Sequence, residues 1–123
     1  MNHEQIEQYE LADTITPLVV GQKIVAATSD SMTLSNGVTL KLEGSVDCCA
    51  WGEASISDVV LSENVITAVT SVESPRNADE WTEKATVYLL TNAGPAAQIN
   101  QEWNESNGYY FYGLYLTVTG VGA

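Results

Sequence analysis

The segment Asp47-Cys48-Cys49-Ala50-Trp51 holds both cysteines of the chain and is the first place to look for chemistry. A thiolate can act as a nucleophile or a metal ligand, but each role needs helpers. Zinc usually takes four ligands from Cys, His or carboxylate, with about two to four residues between paired cysteines. Adjacent cysteines do not supply that spacing, and His3 is the sole histidine. Nucleophilic catalysis needs a nearby histidine or other cation to hold the thiolate, and the sequence offers one His and four Lys or Arg. Cross-linked to each other, the two cysteines would close a strained ring, so they are not the framework of a secreted disulfide scaffold. The expected role is structural, with one cysteine packed as a small hydrophobe and the other at a turn. No metal and no cofactor is expected, although two chains pooling their cysteines would come closer to a metal site.

A second segment, Ser106-Asn107-Gly108-Tyr109-Tyr110-Phe111-Tyr112-Gly113, joins a turn signal to four aromatic residues. Large apolar rings with hydroxyl tips are favoured in binding surfaces, and they also stiffen sheets by cross-strand pairing. Strand alternation would place Tyr110 and Tyr112 on one face and Tyr109 and Phe111 on the other. The candidate binding residues are therefore Asp47, Cys48, Cys49, Trp51, Asn107, Gly108, Tyr109, Tyr110 and Tyr112; none is assigned a catalytic role. Sixteen carboxylates make acid-base chemistry formally available, but no spacing singles out a pair. No Gly-rich phosphate loop, nucleophile elbow or His-Glu metal motif is present.

The elements that must position these residues read as a mainly β, β-rich α+β domain: a compact antiparallel sheet, small barrel or sandwich with one or two short helices. Residues 3–12 lack Gly and Pro and place Ile6 and Tyr9 at helical spacing, so the segment 1–17 reads as a helical N-terminal piece ahead of a single domain over 18–123. Pro17 and Gly21 bracket the approach to a first strand at residues 23–28. Met32 to Glu43 carries two alternating runs around Asn36-Gly37 and reads as a β-hairpin. A two-residue loop would pair Leu34 with Thr39 and mix the faces. A three-residue loop pairs Leu34 with Val38 and Met32 with Leu40, which predicts Gly37 in the left-handed conformation. Residues 65–72 and 85–91 read as central strands, 74–83 as an exposed loop, 92–95 as a turn, 97–103 as a returning strand and 110–119 as the last strand. Residues 55–62 fit either a helix turn or a strand.

Composition bounds the function. With 123 residues, 45% of them hydrophobic and 16% charged, the chain has enough apolar content for one core. Its apolar stretches fall far short of the ~20 residues of a spanning helix, and the polar start through Tyr9 lacks the pattern of a secretory signal, so a cytoplasmic protein is expected. Sixteen acidic against four basic residues give a formal net charge of −12. Such a surface repels nucleic-acid phosphates and anionic membranes, so neither is an expected partner. It either solubilises the chain or docks on a basic protein.

The Asp47-Cys48-Cys49 and Ser106-Asn107-Gly108-Tyr109-Tyr110 segments together resemble a family of small uncharacterised proteins of bacteriophages and bacteria, over residues 18 to 119. The family often has a second glycine soon after the tyrosines; here Phe111 and Tyr112 precede Gly113. The resemblance implies a phage context, a location in the host-cell cytoplasm and no particular mechanism. The leading expectation is a non-enzymatic accessory protein that binds a host or phage protein through an acidic and aromatic surface, the partner being basic or nucleic-acid-binding. An oligomeric virion component and a small cysteine-dependent enzyme or metal protein are the alternatives. Oligomeric state is not legible.

Overall fold

The computed structural model describes residues 2–6, 10–46, 50–74, 82–105 and 114–120. In chain order these form β1 (Asn2–Ile6), α1 (Leu11–Val19), β2 (Ile24–Ala27), β3 (Ser31–Leu34), β4 (Thr39–Val46), β5 (Ala50–Ser57), β6 (Ala68–Ser74), β7 (Thr82–Thr91), β8 (Gly94–Glu105) and β9 (Leu114–Thr119). The expected β-rich α+β class is the observed one: the described residues form two antiparallel sheets and one short helix, with no closed barrel among them. The first sheet runs β1-β9-β4-β3-β2 and the second runs β5-β8-β7-β6, and β4 joins them.

The hairpin adopts the three-residue loop that its apolar pattern requires. Met32 lies opposite Leu40 and Thr33 opposite Thr39. The Leu34 N–H donates to the Val38 carbonyl at 2.8 Å, and the Gly37 N–H donates back to the Leu34 carbonyl at 2.9 Å. Gly37 has φ 88°, where a side chain is disfavoured, and Asn36 Oδ1 accepts from the Val38 N–H at 3.1 Å. In this register Met32, Leu34, Val38, Leu40 and Leu42 are all buried. The last strand behaves as its alternation predicts, with Leu114, Leu116 and Val118 buried and Tyr115, Thr117 and Thr119 half-buried.

The junction of the two sheets is a fork. The first part of β4 pairs with β3 along one edge, while its last residues pair with β5, Ser45 opposite Gly52 and Val46 opposite Trp51. Where β3 and β5 part, the turn between β2 and β3 fills the gap. The Asp30 carbonyl accepts from the Leu42 N–H at 2.8 Å, and the Ser29 carbonyl accepts from the Ile56 N–H at 2.7 Å. Backbone groups that the fork would otherwise strand are thereby satisfied. Thr28 holds this turn: its Oγ1 accepts from the Ser31 N–H at 3.1 Å and donates to Asp30 Oδ1 at 2.8 Å. Beside the fork, a Cβ built on Gly44 would run into the Gly52 carbonyl oxygen and lie 3.0 Å from the Glu53 Cα, so the approach of β4 to β5 requires glycine.

One hydrophobic cluster serves both sheets. Leu40, Leu42, Leu114, Leu116 and Val118 from the first sheet and Ile56, Val87, Leu89 and Ile99 from the second belong to it, together with Leu11, Ile15 and Val19 of α1. Each such side chain contributes about 1.5–3 kcal/mol by leaving water.

Two expectations are corrected. Within the helix expected over 3–12, residues 3–6 belong instead to strand β1, paired from Asn2 opposite Val118 to Ile6 opposite Leu114, residues 7–9 lie outside the described residues, and the helix spans Leu11–Val19. The open edge of β9 overrides a weak local propensity for helix. The helix continues past residue 17, and β1 pairs with β9 at the edge of the first sheet. Residues 65–72 do not form a central strand: pairing starts at Ala68, and β6 lies at the end of its sheet. Residues 55–57 complete β5, after which Asp58, at φ 52°, turns the chain into an irregular connection. The loop expected at 74–83 lies outside the described residues over 75–81.

Gly37→Val is expected to lower stability by about 1–2 kcal/mol, because the valine would have to adopt the left-handed conformation. Urea unfolding measures the change.

Candidate functional site

Of the nine candidate binding residues, Trp51 lies within the described structure; Asp47, Cys48, Cys49, Asn107, Gly108, Tyr109, Tyr110 and Tyr112 lie outside it. Beside those residues β5 and β8 are neighbours, with Ala50 opposite Glu105, and β4 and β9 are neighbours, with Gly44 opposite Leu114. Trp51 is half-buried and lies opposite Asn104 on the outward side of the second sheet. Among the described residues, no group of three or more His, Cys, Asp or Glu is placed to hold a metal ion.

Two surface features stand out, and the sequence pattern flagged neither. The first is polar. Outward-pointing residues of β5, β8 and β7 line an open cleft of about 460 Å³, among them Glu53, Ser55, Lys84, Thr86, Asn100 and Glu102. Register dictates the layout: Glu53 lies opposite Glu102, and Glu102 lies opposite Lys84 on the next strand. Directly opposed carboxylates are unfavourable, and the lysine on the third strand offsets that repulsion. Below this row Gln98 Nε2 donates to Asn100 Oδ1 at 2.9 Å, and Asn100 Nδ2 donates to Ser57 Oγ at 2.8 Å. The face can hydrogen-bond to a partner, but it presents no nucleophile with an adjacent base.

The second feature is apolar. Leu61 is 59% exposed and Val25 is 51% exposed, and both line a shallow cleft of about 250 Å³ with Lys23, Ile24, Ser62 and Glu63. Val20 and Val65 are exposed beside residues that are hydrogen-bonded to one another: the Gly21 N–H donates to the Ile66 carbonyl, and the Ile66 N–H donates to the Gln22 carbonyl, each at 2.8 Å. The patch is held from below by the hairpin turn, since the Lys23 N–H donates to Ser35 Oγ at 3.0 Å and the Ser35 N–H donates to the Lys23 carbonyl at 2.8 Å. An ion pair between Lys23 Nζ and Glu63 Oε2, 2.9 Å long, forms its rim. The hydrogen bond from Lys23, and then its charge, hold the Glu63 carboxyl below the usual glutamate value. The signal that could have found this patch is Val59-Val60-Leu61, an apolar run ahead of the polar stretch Ser62-Glu63-Asn64.

Because the Glu63 pKa is lowered by folding, the interaction is fully present above the unfolded-state pKa and is lost as pH falls through the folded-state value. Lys23→Met is expected to return the Glu63 titration to the ordinary glutamate range, with little change in stability because the pair is exposed. Carboxyl chemical shifts followed across the acidic range check both points.

Among the described residues, no helix is long and apolar enough to cross a membrane. No curated protein and no solved structure matches the chain. A domain of unknown function, DUF7448, matches residues 17–116, which include β2 to β8 with the fork, the apolar patch and the polar cleft. The chain therefore belongs to the DUF7448 family.

Proposed function

We propose that this chain is a non-enzymatic, phage-type accessory protein that binds a host or phage protein in the host-cell cytoplasm. The observation that carries the reading is the exposed apolar patch around Val25 and Leu61, set in a strongly acidic molecule. Exposed apolar clusters rimmed by polar groups mark contact surfaces more often than they serve stability. Glu10, Asp13, Asp30, Glu43, Glu53, Asp58, Glu63 and Glu73 are all exposed, so a partner meets a negative field from several directions. The fitting partner is basic and presents apolar side chains: charge speeds the encounter, and burial of the patch slows dissociation. In its sharpest form the partner is a host nucleic-acid-binding protein whose basic groove the acidic surface occupies. Asp47 to Trp51 and the tyrosines 109, 110 and 112 are assigned to the same role on the strength of sequence alone.

Pull-down from bacterial lysate at low salt, with the chain and its Val25→Asp/Leu61→Asp variant side by side, tests this reading. The expected result is a basic partner retained by the chain, weakened by salt and lost from the variant. Recovery of no partner, or equal recovery by the variant, would overturn it.

A further inference from the structure

The three sheet-edge strands of the described structure are protected unequally. β2 has four residues and a bulge between Ile24 and Ala26, and both features discourage pairing with another chain. β1 has five residues, including His3 and Glu4. Apart from α1, which packs against it, β6 has neither protection. It is the terminal strand of its sheet and runs seven residues in unbroken register against β7, from Ala68 opposite Leu90 to Ser74 opposite Lys84. Its sequence, Ala-Val-Thr-Ser-Val-Glu-Ser, contains no Pro, Lys or Arg and a single carboxylate, Glu73. Thr70, Ser71 and Val72 are exposed, Val72 to 56%. Folded proteins normally block an edge of this length and composition, because unpaired N–H and C=O groups along an edge are a template for another strand.

We propose that β6 is a homodimerisation edge, pairing antiparallel with β6 of a second copy so that the second sheet continues across a two-fold axis. The strand is complementary to itself. Pairing over its whole length centres the axis on Ser71, sets Thr70 opposite Val72 of the other copy, and sets Glu73 opposite Val69, so no carboxylate meets its own copy. Thr70 and Val72, both β-branched, then face one another twice across the axis, the kind of cross-strand pair that stabilises a sheet. Lys84, on β7 beside Ser74, puts a positive charge near an edge that holds only one negative charge. The net charge of −12 opposes association of two copies at long range, and salt screens that repulsion. The dimer therefore tightens with added salt, opposite in sign to capture of a basic partner.

Sedimentation equilibrium of the full chain, over a range of protein and salt concentrations, tests the proposal. The expected result is a concentration-dependent dimer that strengthens with salt. Thr70→Lys/Val72→Lys places lysine against lysine twice across the axis and is expected to weaken the dimer about tenfold or more. Thr70→Glu/Val72→Lys places glutamate against lysine twice and is expected to restore it. Far-UV circular dichroism and urea unfolding confirm that each variant is folded; if the first does not fold, the second still reads the register. A monomer under all conditions, a dimer insensitive to the double lysine variant, or a folded Glu/Lys variant that stays monomeric would overturn the proposal.

Discussion

The close approach of β4 to β5 at Gly44 is the constraint on which the rest of the structure depends. A single flat sheet of nine strands would expose one apolar face. Here β4 pairs with β3 and then β5 along the same edge, so the chain splits into two sheets that share one core. The split has two requirements. The backbones must come close enough at Gly44 that no Cβ fits, and the groups left unpaired where β3 and β5 diverge must find partners. Ser29 and Asp30 supply the latter from the β2–β3 turn, which Thr28 holds in shape. Helix α1 then contributes Leu11, Ile15 and Val19 to the shared core.

With the interior closed in this way, the surface is divided between charge and a few exposed apolar sites. Among the described residues most acidic side chains are exposed and leave the core to hydrocarbon, Gln101 being the buried polar exception. Like charge raises solubility at some cost in self-repulsion. Against that background, the patch at Val25 and Leu61 and the edge at β6 stand out, because neither adds to the core. They are different kinds of surface. The patch offers side-chain burial within a negative field, whereas the edge offers backbone hydrogen bonds where charge is sparse.

How much of this was legible in the sequence depended on whether the determining interaction is local. The hairpin register was, because a period of two with a Gly at the loop leaves one arrangement that buries Met32, Leu34, Leu40 and Leu42 together. The alternation of β9 was legible for the same reason. The N-terminus was not: nothing within residues 2–6 marks a strand, and its pairing partners lie more than 100 residues away on β9. The helix is hidden by Pro17, a residue that ordinarily ends or breaks a helix, although Leu11, Ile15 and Val19 recur at helical spacing before and after it. For β6, β-branched content signalled a strand but could not separate an edge from a centre. Gly44 and Gly52 carried no signal, since a close approach appears only once the two strands are side by side. The cysteines and tyrosines are conspicuous by their chemistry, whereas Val25 and Leu61 are of the same types as core residues and differ from them in burial alone.

The most direct test of the central constraint is urea unfolding of Gly44→Ala, because the account fixes the sign of the effect. Gly44 is not among the glycines with positive φ, so alanine there would ordinarily stabilise by about 0.4–1 kcal/mol through the unfolded chain. If the Gly44 contact with Gly52 and Glu53 governs the fork, the added methyl instead lowers stability by about 1–3 kcal/mol. Unchanged or increased stability would contradict the account.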